Sequence, residues 1–308
     1  PCVMLVYFAA PKKLKNSVLL LASLFFYGWG EPKYLLLMLF SIMQGYVFGL
    51  LIEKSRERRS GKVCLAAGVV LSLAMLAYFK YADFMIANLN ALTGLSVPFL
   101  KIALPIGISF YTFQIVSYLI DVYRGEVPVQ RNFIDLAAYI AMFPQLIAGP
   151  IVRYSDIAAQ LGSRTHTCAG AAYGVRRFVI GLSKKILIAN LLGSLASAYK
   201  TTQDASVLFG WLYAAAFMLQ IYYDFSGYSD MAIGLGSVFG FRFSENFNYP
   251  YVAGSITEFW RRWHISLGSW FRDYLYVPLG GNRKGLGRQL LNIAIVWFLT
   301  GLWHGGSW

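Results

Sequence analysis

The stretch that decides the fold reads QLLNIAIVWFLTGLWHGGSW and occupies Gln289–Trp308. Its Leu290–Leu302 run is almost wholly apolar, which is typical of a helix inside a membrane, and His304 follows that run. An ionisable side chain at that depth is costly and usually faces a cavity or a polar partner rather than lipid. Two glycines after the histidine leave room for another group to approach the backbone. The pattern suits a structural histidine inside a helix bundle as well as a functional one.

The composition of the whole chain indicates a polytopic membrane protein. Hydrophobic residues make up 57% of the 308 residues and charged residues only 13%, whereas a soluble domain is about half apolar and about a quarter charged. The apolar residues gather in long uncharged runs, so we predict one integral membrane domain over residues 1–308. Pro1–Ala10 is too short to span a membrane and resembles the end of a helix that starts upstream.

The formal net charge of +13 does not require nucleic acid as a partner. The basic residues lie between apolar runs, where anionic lipids and the preference of Lys and Arg for cytoplasmic loops account for them. The densest charged run, Glu53–Lys62, has an excess of Lys and Arg, so we expect it to be cytoplasmic. Cys2, Cys64 and Cys168 show no metal-type spacing, and we interpret them as core residues without a disulfide or zinc.

Apolar runs predict the membrane spans. The spans are Asn16–Gly30, Tyr34–Ile52, Val63–Phe79, Ile102–Ile120, Leu136–Val152, Ile186–Tyr199, Ala205–Tyr223 and Leu290–Leu302. We expect Lys80–Lys101 to be an outer loop and Arg153–Lys185 to be interfacial or cytoplasmic, because neither is continuously apolar. Prolines and glycines interrupt the runs at 105–107 and 144–150. Such breaks are packing kinks roughly twice as often as they line binding sites.

The Gln220–Asp230 segment is unusually polar for the end of a membrane span. Gln220 and Asp224 are four residues apart and therefore share one face of a helix. Carboxylates there indicate a polar cavity or a basic partner, or they simply lie in the membrane interface. The sequence leaves these alternatives open, and it predicts a loop at Glu245–Pro250.

Ser255–Tyr276 is predicted to form one amphipathic helix in the membrane interface. Ser255 and Glu258 make a capping-box pattern at its start. One face carries Trp260, Trp263, His264, Leu267, Trp270, Phe271 and Tyr274, and the other carries Arg261, Arg262, Ser269, Arg272 and Asp273. Aromatic residues opposite arginines are typical of interfacial helices. A lone histidine on such a face is more often a core residue than a catalyst, but a second histidine at membrane depth weakens that interpretation.

Several motifs together resemble the membrane-bound O-acyltransferase (MBOAT) family, in particular its bacterial alginate O-acetylation branch, the AlgI-like proteins. The motifs are Leu104–Phe110, Ala148–Arg153, Gln220–Asp230, Glu245–Pro250, Trp260–His264, Trp270–Tyr276 and Leu299–Trp308. The resemblance implies an all-α, polytopic integral membrane protein, with a ring of tilted transmembrane helices and interfacial amphipathic helices around a central funnel. Related chains begin before Pro1 and continue past His304, so we expect this sequence to be truncated at both ends.

The resemblance also implies an activity. Family members move an acyl group from a cytoplasmic thioester to a hydroxyl acceptor. In the alginate-like branch the donor is acetyl-CoA, a substrate rather than a bound cofactor, and the acetyl group passes outward to periplasmic acetyltransferase partner proteins. His304 matches the family's invariant histidine, and His264 matches the partner position upstream. The implied location is the bacterial inner membrane, with membrane lipids as further partners.

The residues suit such a transfer. A hydroxyl needs a base to take its proton, and imidazole is the usual base near neutral pH, so we predict His304 as the general base. His264 would orient His304 or the donor carbonyl. A thioester needs no metal to be attacked, and the sequence has neither zinc-type spacing nor a Gly-x-Ser-x-Gly motif.

Other residues are candidates for lining the cavity or binding the donor. They are Gln220, Asp224, Asn246, Arg261, Arg262, Trp263 and Trp303. The two arginines, together with Arg272, would attract the donor's phosphates, although contact with anionic lipid is the commoner role of such residues. Two interpretations without catalysis stay open. One is a transporter or flippase that uses intramembrane His and Asp as a proton relay, and the other is a platform subunit of an exopolysaccharide modification complex.

Overall fold

The computed structural model describes residues 1–202 and 206–306, and every regular element in those ranges is helical. The α-helices are α1 Cys2–Ala9, α2 Lys15–Gly30, α3 Leu35–Ser55, α4 Arg59–Thr93, α5 Ile108–Arg124, α6 Phe133–Ala141, α7 Tyr154–Gly162, α8 Cys168–Ser183, α9 Asn190–Thr201, α10 Val207–Val238, α11 Ile256–Arg262, α12 Ile265–Phe271 and α13 Leu286–His304. Two π-helical segments, Lys184–Ala189 and Arg272–Tyr276, follow α8 and α12. The predicted all-α class is confirmed.

Four helical stretches in the described ranges are long and apolar enough to cross a membrane. They are Pro32–Ser55, Arg59–Thr93, Cys168–Thr201 and Leu286–His304. Each exposes large apolar side chains, for example Leu36, Val70, Leu187 and Phe298. Such surfaces suit contact with lipid tails, and the predicted polytopic membrane architecture is confirmed.

The chain divides into two compact units. Unit 1 comprises Pro1–Ile147, Arg153–Leu161 and Leu267–Trp308, and unit 2 comprises Ala148–Val152 and Gly162–Ser266. Each unit is assembled from separate stretches of sequence, and the chain leaves unit 2 inside α12. A single domain over 1–308 stays a prediction.

Helix α5 forms the core of unit 1. It begins after Gly107, whose φ of 76° lies in the left-handed region, and most of its side chains are buried. Helix α3 approaches it closely at Gly49, where a Cβ atom would come within 2.8 Å of the Tyr118 hydroxyl. Small residues let membrane helices pack at short range, so α5 is enclosed by protein rather than lipid.

Two glycine pairs bring α8 and α10 into close contact in unit 2. A Cβ atom on Gly174 would collide with the backbone of Gly234, and one on Gly181 would collide with the backbone of Gly227. Both helices carry these glycines seven residues apart, and the pairs run in opposite directions, so the helices are antiparallel. An ion pair crosses the same interface between Arg177 and Asp230 at 2.7 Å.

Several predicted spans have different bounds in the structure. Helix α4 continues through most of the predicted Lys80–Lys101 loop, because residues 80–93 contain neither proline nor glycine. Gly94 then ends the helix in a left-handed conformation. The Cys168–Thr201 stretch is helical well before Ile186, the predicted start of that span. Its first half carries Arg176 and Arg177, which lower the mean hydropathy, so the apolar runs of the sequence do not predict a span there.

The broken runs also differ from the prediction. Helix α5 starts only at Ile108, and α6 ends at Ala141 before turns around Pro144, because proline cannot continue the helical hydrogen bonds. The Gln220–Asp230 segment lies in the middle of α10 rather than at the end of a span. Two parts of the predicted segments, Ala205 and Ser307–Trp308, lie outside the described residues.

The cysteines are not core residues as predicted. Cys2 and Cys168 are exposed, and Cys64 is half-buried; all three are free thiols. Cys2 and Cys168 lie in the first turns of α1 and α8. An apolar sequence around a cysteine does not distinguish a core from a lipid-facing surface, which explains the error.

Candidate functional site

His264 lies where the predicted Ser255–Tyr276 helix is broken. Helix α11 ends at Arg262, α12 starts at Ile265, and the intervening His264 has a left-handed φ of 44°. That conformation is uncommon for a residue other than glycine and persists only where neighbouring groups hold it. The prediction of one continuous helix with an aromatic face and an arginine face is therefore wrong.

The Glu245–Pro250 loop accounts for the break. The backbone N–H of Ile265 donates to the carbonyl of Asn246 at 2.9 Å, and the N–H of Asn248 donates to the carbonyl of Arg262 at 2.9 Å. These bonds satisfy backbone groups that a continuous helix would have paired internally. Contacts with a preceding loop thus override the helical pattern of the local sequence.

The start of α11 agrees with the sequence. Ser255 Oγ accepts the backbone N–H of Glu258 at 3.1 Å, so Ser255 is the predicted N-cap. Glu258 reaches back to the backbone N–H of Gly254 at 2.9 Å. This bond, followed by those from Arg262, lowers the pKa of Glu258.

The side chain of Asn246 is fully buried and holds His264. Its Oδ1 accepts the hydroxyl of Ser266 at 2.8 Å and the backbone N–H of Ser266 at 3.3 Å, and it lies 3.0 Å from Nδ1 of His264. Its Nδ2 donates to Oγ of Ser229 at 3.1 Å. Because a backbone N–H can only donate, Oδ1 must face Ser266 and His264. His264 therefore carries a hydrogen on Nδ1.

This tautomer limits what His264 can do chemically. In the neutral ring the lone pair is on Nε2, which can accept a hydrogen bond but cannot donate one. Neutral His264 is therefore suited to hold a hydroxyl or an N–H group. Orienting a donor carbonyl, one of its predicted roles, by a hydrogen bond from Nε2 would require the protonated ring.

Aromatic rings surround this imidazole and Trp263 in unit 2. The ring of Phe225 lies edge-on to His264 at 4.7 Å. Trp263 stacks with Phe259 at 5.6 Å and meets Phe247 edge-on at 5.1 Å. Trp263 thus belongs to an aromatic cluster, and its role in donor binding stays a prediction.

Gln220 and Asp224 lie together in a polar groove of unit 2. The groove has a volume of about 630 Å³ and is lined by Lys185, Ala189, Asn190, Gly193, Ser194, Ser197, Gln220 and Asp224. Lys185 forms an ion pair with Asp224. Asp230, further along α10, is bonded by Arg177 and Lys184 at 2.7 Å each. Basic partners therefore account for both carboxylates.

The three predicted phosphate-binding arginines belong to two different units. Arg262 bonds Glu258 at 2.8 and 3.0 Å, and Arg261 is exposed; both belong to unit 2. Arg272 belongs to unit 1 and bonds Asp273 at 2.7 Å. Binding of the donor's phosphates by these arginines stays a prediction.

His304 is the last residue of α13 in unit 1 and adjoins an aromatic stack. Trp303 stacks on Phe113 at 5.7 Å, and Phe113 stacks on Trp270 at 4.3 Å. Trp270 Nε1 donates to the carbonyl of Phe113 at 3.1 Å. The imidazole of His304 lies 4.6 Å from Trp303, ring centre to ring centre. Helices α5, α12 and α13 therefore meet next to the predicted general base.

An apolar cavity of about 340 Å³ lies beside this stack in unit 1. Its walls include Leu73 of α4, Val116 of α5 and Leu299 of α13, together with Trp303. Trp303 thus lines this cavity, and its predicted role toward the donor stays a prediction.

Sequence reasoning missed the buried contact between Asp121 and Tyr274 in unit 1. The hydroxyl of Tyr274 lies 2.8 Å from both carboxylate oxygens of Asp121. Burial raises the pKa of Asp121 to about 6, and the bond from Tyr274 opposes this only in part. Arg124 and Arg153 lie 5.5 and 5.3 Å from the centre of the Tyr274 ring. The one signal in the sequence is a carboxylate directly after an apolar span.

Comparison with known proteins identifies the family. The MBOAT, membrane-bound O-acyltransferase family, model matches residues 123–308, a range that contains both histidines and Asn246. Over its full length the chain is 48% identical to proteins named probable alginate O-acetylase AlgI. It covers 63% of the one from Azotobacter vinelandii and 60% of the one from Pseudomonas aeruginosa. It is also 35% identical over its full length to the peptidoglycan O-acetyltransferase of Helicobacter pylori and covers 65% of that protein.

The chain spans less than two thirds of the length of these relatives, as the covered shares of 60 to 65% show. The resemblance that the motifs predict is confirmed, because the family match and the full-length identities agree. The chain is a membrane protein that belongs to the membrane-bound O-acyltransferase family.

Proposed function

We propose that the chain carries the acyl-transfer residues of a membrane O-acyltransferase that supplies acetyl groups for polysaccharide O-acetylation. The observation that carries the proposal is the hydrogen bond from Nδ1 of His264 to Oδ1 of the buried Asn246, which we call the clamp. A buried imidazole with one nitrogen bonded to a fixed polar side chain is an arrangement that proton-transfer catalysis uses. The names of the relatives, alginate O-acetylase and peptidoglycan O-acetyltransferase, support an acetyl group and a polysaccharide.

The reaction would transfer the acetyl group of acetyl-CoA, a substrate on the cytoplasmic side, to a hydroxyl. The hydroxyl oxygen attacks the thioester carbonyl while the imidazole of His304 takes the hydroxyl proton. The new C–O bond forms, the C–S bond breaks, and the imidazole returns the proton to the departing thiolate. His304 supports this role by its place at the end of a membrane-spanning helix beside an aromatic stack. His264, with its lone pair on Nε2, would hold a hydroxyl or N–H group.

The dimensions of α4 support an acceptor on the periplasmic side of a bacterial inner membrane. Lys80 of α4 contacts the end of α13 and lies 21 residues after Arg59. That separation is about 30 Å along a helix, which matches the thickness of the hydrocarbon core. With the Glu53–Lys62 segment in the cytoplasm, as its charge predicts, the His304 end of α13 would approach the outer leaflet. The thioester end of acetyl-CoA would then enter the protein from the cytoplasmic side to reach His304. Periplasmic acetyltransferases that act on the polysaccharide are the partners that this arrangement suits.

The test is acetyl transfer by the purified protein in lipid vesicles. Acetyl-CoA labelled in the acetyl group is supplied with a periplasmic extract from the source cells, and both thiol release and labelled product are measured. We expect thiol release and labelling to rise together and both to be lost in His304→Gln. A transporter would move label without thiol release, and a platform subunit would do neither; either result would contradict the proposal.

A further inference from the structure

Helix α13 ends at His304, the last residue of a stretch that is long and apolar enough to cross a membrane. Its last carbonyl groups therefore lie at the edge of the hydrocarbon and need partners. The final four carbonyls of an α-helix have no partner within the helix. Water satisfies such groups at a protein surface, but a hydrocarbon environment offers no donors. Gly305 N–H donates to the carbonyl of Gly301 at 3.2 Å, which accounts for one of the four.

Helix α4 supplies donors for two more. The hydroxyl of Tyr81 donates to the carbonyl of Leu302, and the ammonium group of Lys80 donates to the carbonyl of Trp303. The Lys80 nitrogen also lies 5.5 Å from the centre of the Trp303 ring, within reach of a cation–π interaction. A positive charge at a helix C-terminus is favourable because the carbonyl ends of the peptide dipoles point toward it.

The ammonium group of Lys80 also needs a polar partner. An ammonium group within a membrane-spanning helix is costly unless it pairs with another polar group. The end of α13 provides that group, and the lysine provides the donors that the end of α13 lacks. The contact therefore lowers both the cost of a charged lysine in the membrane and the cost of unpaired carbonyl groups at the end of α13.

The glycines after His304 fit the same contact. A Cβ atom on Gly306 would lie 2.8 Å from a ring carbon of Tyr81, closer than real Cβ contacts allow. Gly305 has open space around its Cα, so only the second glycine is required by packing. The group that approaches the backbone at this point is thus the Tyr81 ring of α4.

We propose that Lys80 is a positioning residue that, together with Tyr81, fixes the end of α13 and thereby holds the imidazole of His304 in place. The part that concerns acetyl transfer rests on the proposed function. Fixing the helix end is a separate structural claim, since it concerns only the backbone of Gly301–Gly306.

The experiment compares Lys80→Met, Lys80→Arg and Tyr81→Phe with Lys62→Met, in the full chain in lipid vesicles. Lys62 is an exposed lysine of the same helix, so its replacement removes the same charge without touching α13. Hydrogen exchange of Gly301–Gly306 and kcat and KM for acetyl-CoA are measured for each protein. Lys80→Met should speed the exchange of this segment and lower kcat roughly ten- to a hundredfold, because small misplacements of a catalytic group are that costly.

The remaining variants separate positioning from general damage. Lys80→Arg keeps the charge and the hydrogen-bond donors and should therefore retain most of kcat. In every variant that only misplaces a catalytic group, KM should change less than about twofold. Unchanged exchange at Gly301–Gly306 in both Lys80→Met and Tyr81→Phe would overturn the inference, whatever the activity. The two claims can fail separately. If the variants exchange faster at Gly301–Gly306 but the wild-type protein shows no acetyl transfer, the proposed function is overturned and the helix-end contact stands.

Discussion

The Nδ1 atom of His264 lies 3.0 Å from Oδ1 of Asn246, and this contact decides which nitrogen of the imidazole carries hydrogen. The same oxygen accepts two hydrogen bonds from Ser266, so rotating the amide by half a turn would bring two donors together. The left-handed backbone of His264 costs roughly 1–3 kcal/mol, which the surrounding bonds must offset. A strained, fixed histidine is more consistent with a functional role than with simple core packing.

Replacing Asn246 tests this relationship directly. Asn246→Leu keeps the volume but removes every side-chain hydrogen bond, so we expect acetyl transfer to fall strongly. Asn246→Asp retains the oxygen that faces His264 and Ser266, and Ser229 can donate to its other oxygen, so transfer should fall less. Transfer is measured with labelled acetyl-CoA at matched amounts of folded protein. Equal activities for the two variants would show that the clamp does not position the imidazole.

The ion pair between Arg177 of α8 and Asp230 of α10 predicts a large stability effect at Arg177. This arginine bonds both Asp230, which is buried, and Glu245. Arg177→Met would leave Asp230 with Lys184 alone, and we expect a loss of roughly 3 kcal/mol in the free energy of unfolding. Arg176→Met is the matched control, because Arg176 is the exposed neighbour in the same helix. Thermal unfolding in detergent should separate the two variants, and similar midpoints would contradict the prediction.

The buried carboxylate of Asp121 predicts a pH-dependent stability. Burial raises its pKa from 3.8 to about 6 in the folded state, so the folded protein binds this proton more tightly than the unfolded chain does. The stabilisation is fully present below about pH 4 and is lost as pH rises through about 6, with a total of about 3 kcal/mol.

Asp121→Asn isolates this effect, because an amide stays neutral and still accepts the Tyr274 hydroxyl. The stability of wild type relative to Asp121→Asn should decrease from pH 4 to pH 7, as measured by thermal unfolding. Glu126→Gln, at an exposed carboxylate two residues beyond the end of α5, should follow wild type. Parallel pH profiles for wild type and Asp121→Asn would assign the pH dependence to other groups.

The sequence predicts helices well where hydropathy alone decides them. The Pro32–Ser55 and Leu286–His304 helices match the predicted spans, because both are long, apolar and bounded by charged or glycine-rich segments. The extension of α4 past Phe79 could not be predicted in this way. In the sequence Lys80 marks the end of the predicted span. In the structure its contact with the end of α13 offsets the cost of a lysine within the longer helix.

The candidate site shows the same limit. His304 and His264 stand out because histidines are costly at membrane depth and because they match a family pattern. The break at His264 arises from hydrogen bonds to a loop about 18 residues earlier, and no local pattern encodes it. Asp121 and Tyr274 are 153 residues apart in the chain, so their contact could be found only in the folded structure.

The charged segment around Ser60 provides a topological prediction. Ser60 is exposed in the first turn of α4, within the run whose Lys and Arg excess predicts a cytoplasmic location. With the three native cysteines replaced by serine, a cysteine at this position should react with a membrane-impermeant maleimide in inverted vesicles and stay protected in intact spheroplasts. A cysteine at the exposed Leu95, after the other end of α4, should show the opposite pattern. Rapid labelling of the Ser60→Cys protein in spheroplasts would reverse the assigned orientation.

His304 is the residue on which the proposed reaction depends most. Its imidazole lies at the end of α13, next to the Trp303–Phe113 stack, and the motif resemblance predicts that it matches the family's invariant histidine. General-base catalysis typically contributes about a hundred- to ten-thousand-fold in rate, so His304→Ala should lose most acetyl transfer while the protein remains inserted and folded. His304→Gln should be similarly inactive, because an amide can form a hydrogen bond but cannot take a proton. Rates of acetyl transfer are compared at equal levels of folded protein, with the thermal midpoint as the control for folding. If His304→Gln retained nearly wild-type transfer, the histidine would be structural and another group would have to accept the hydroxyl proton.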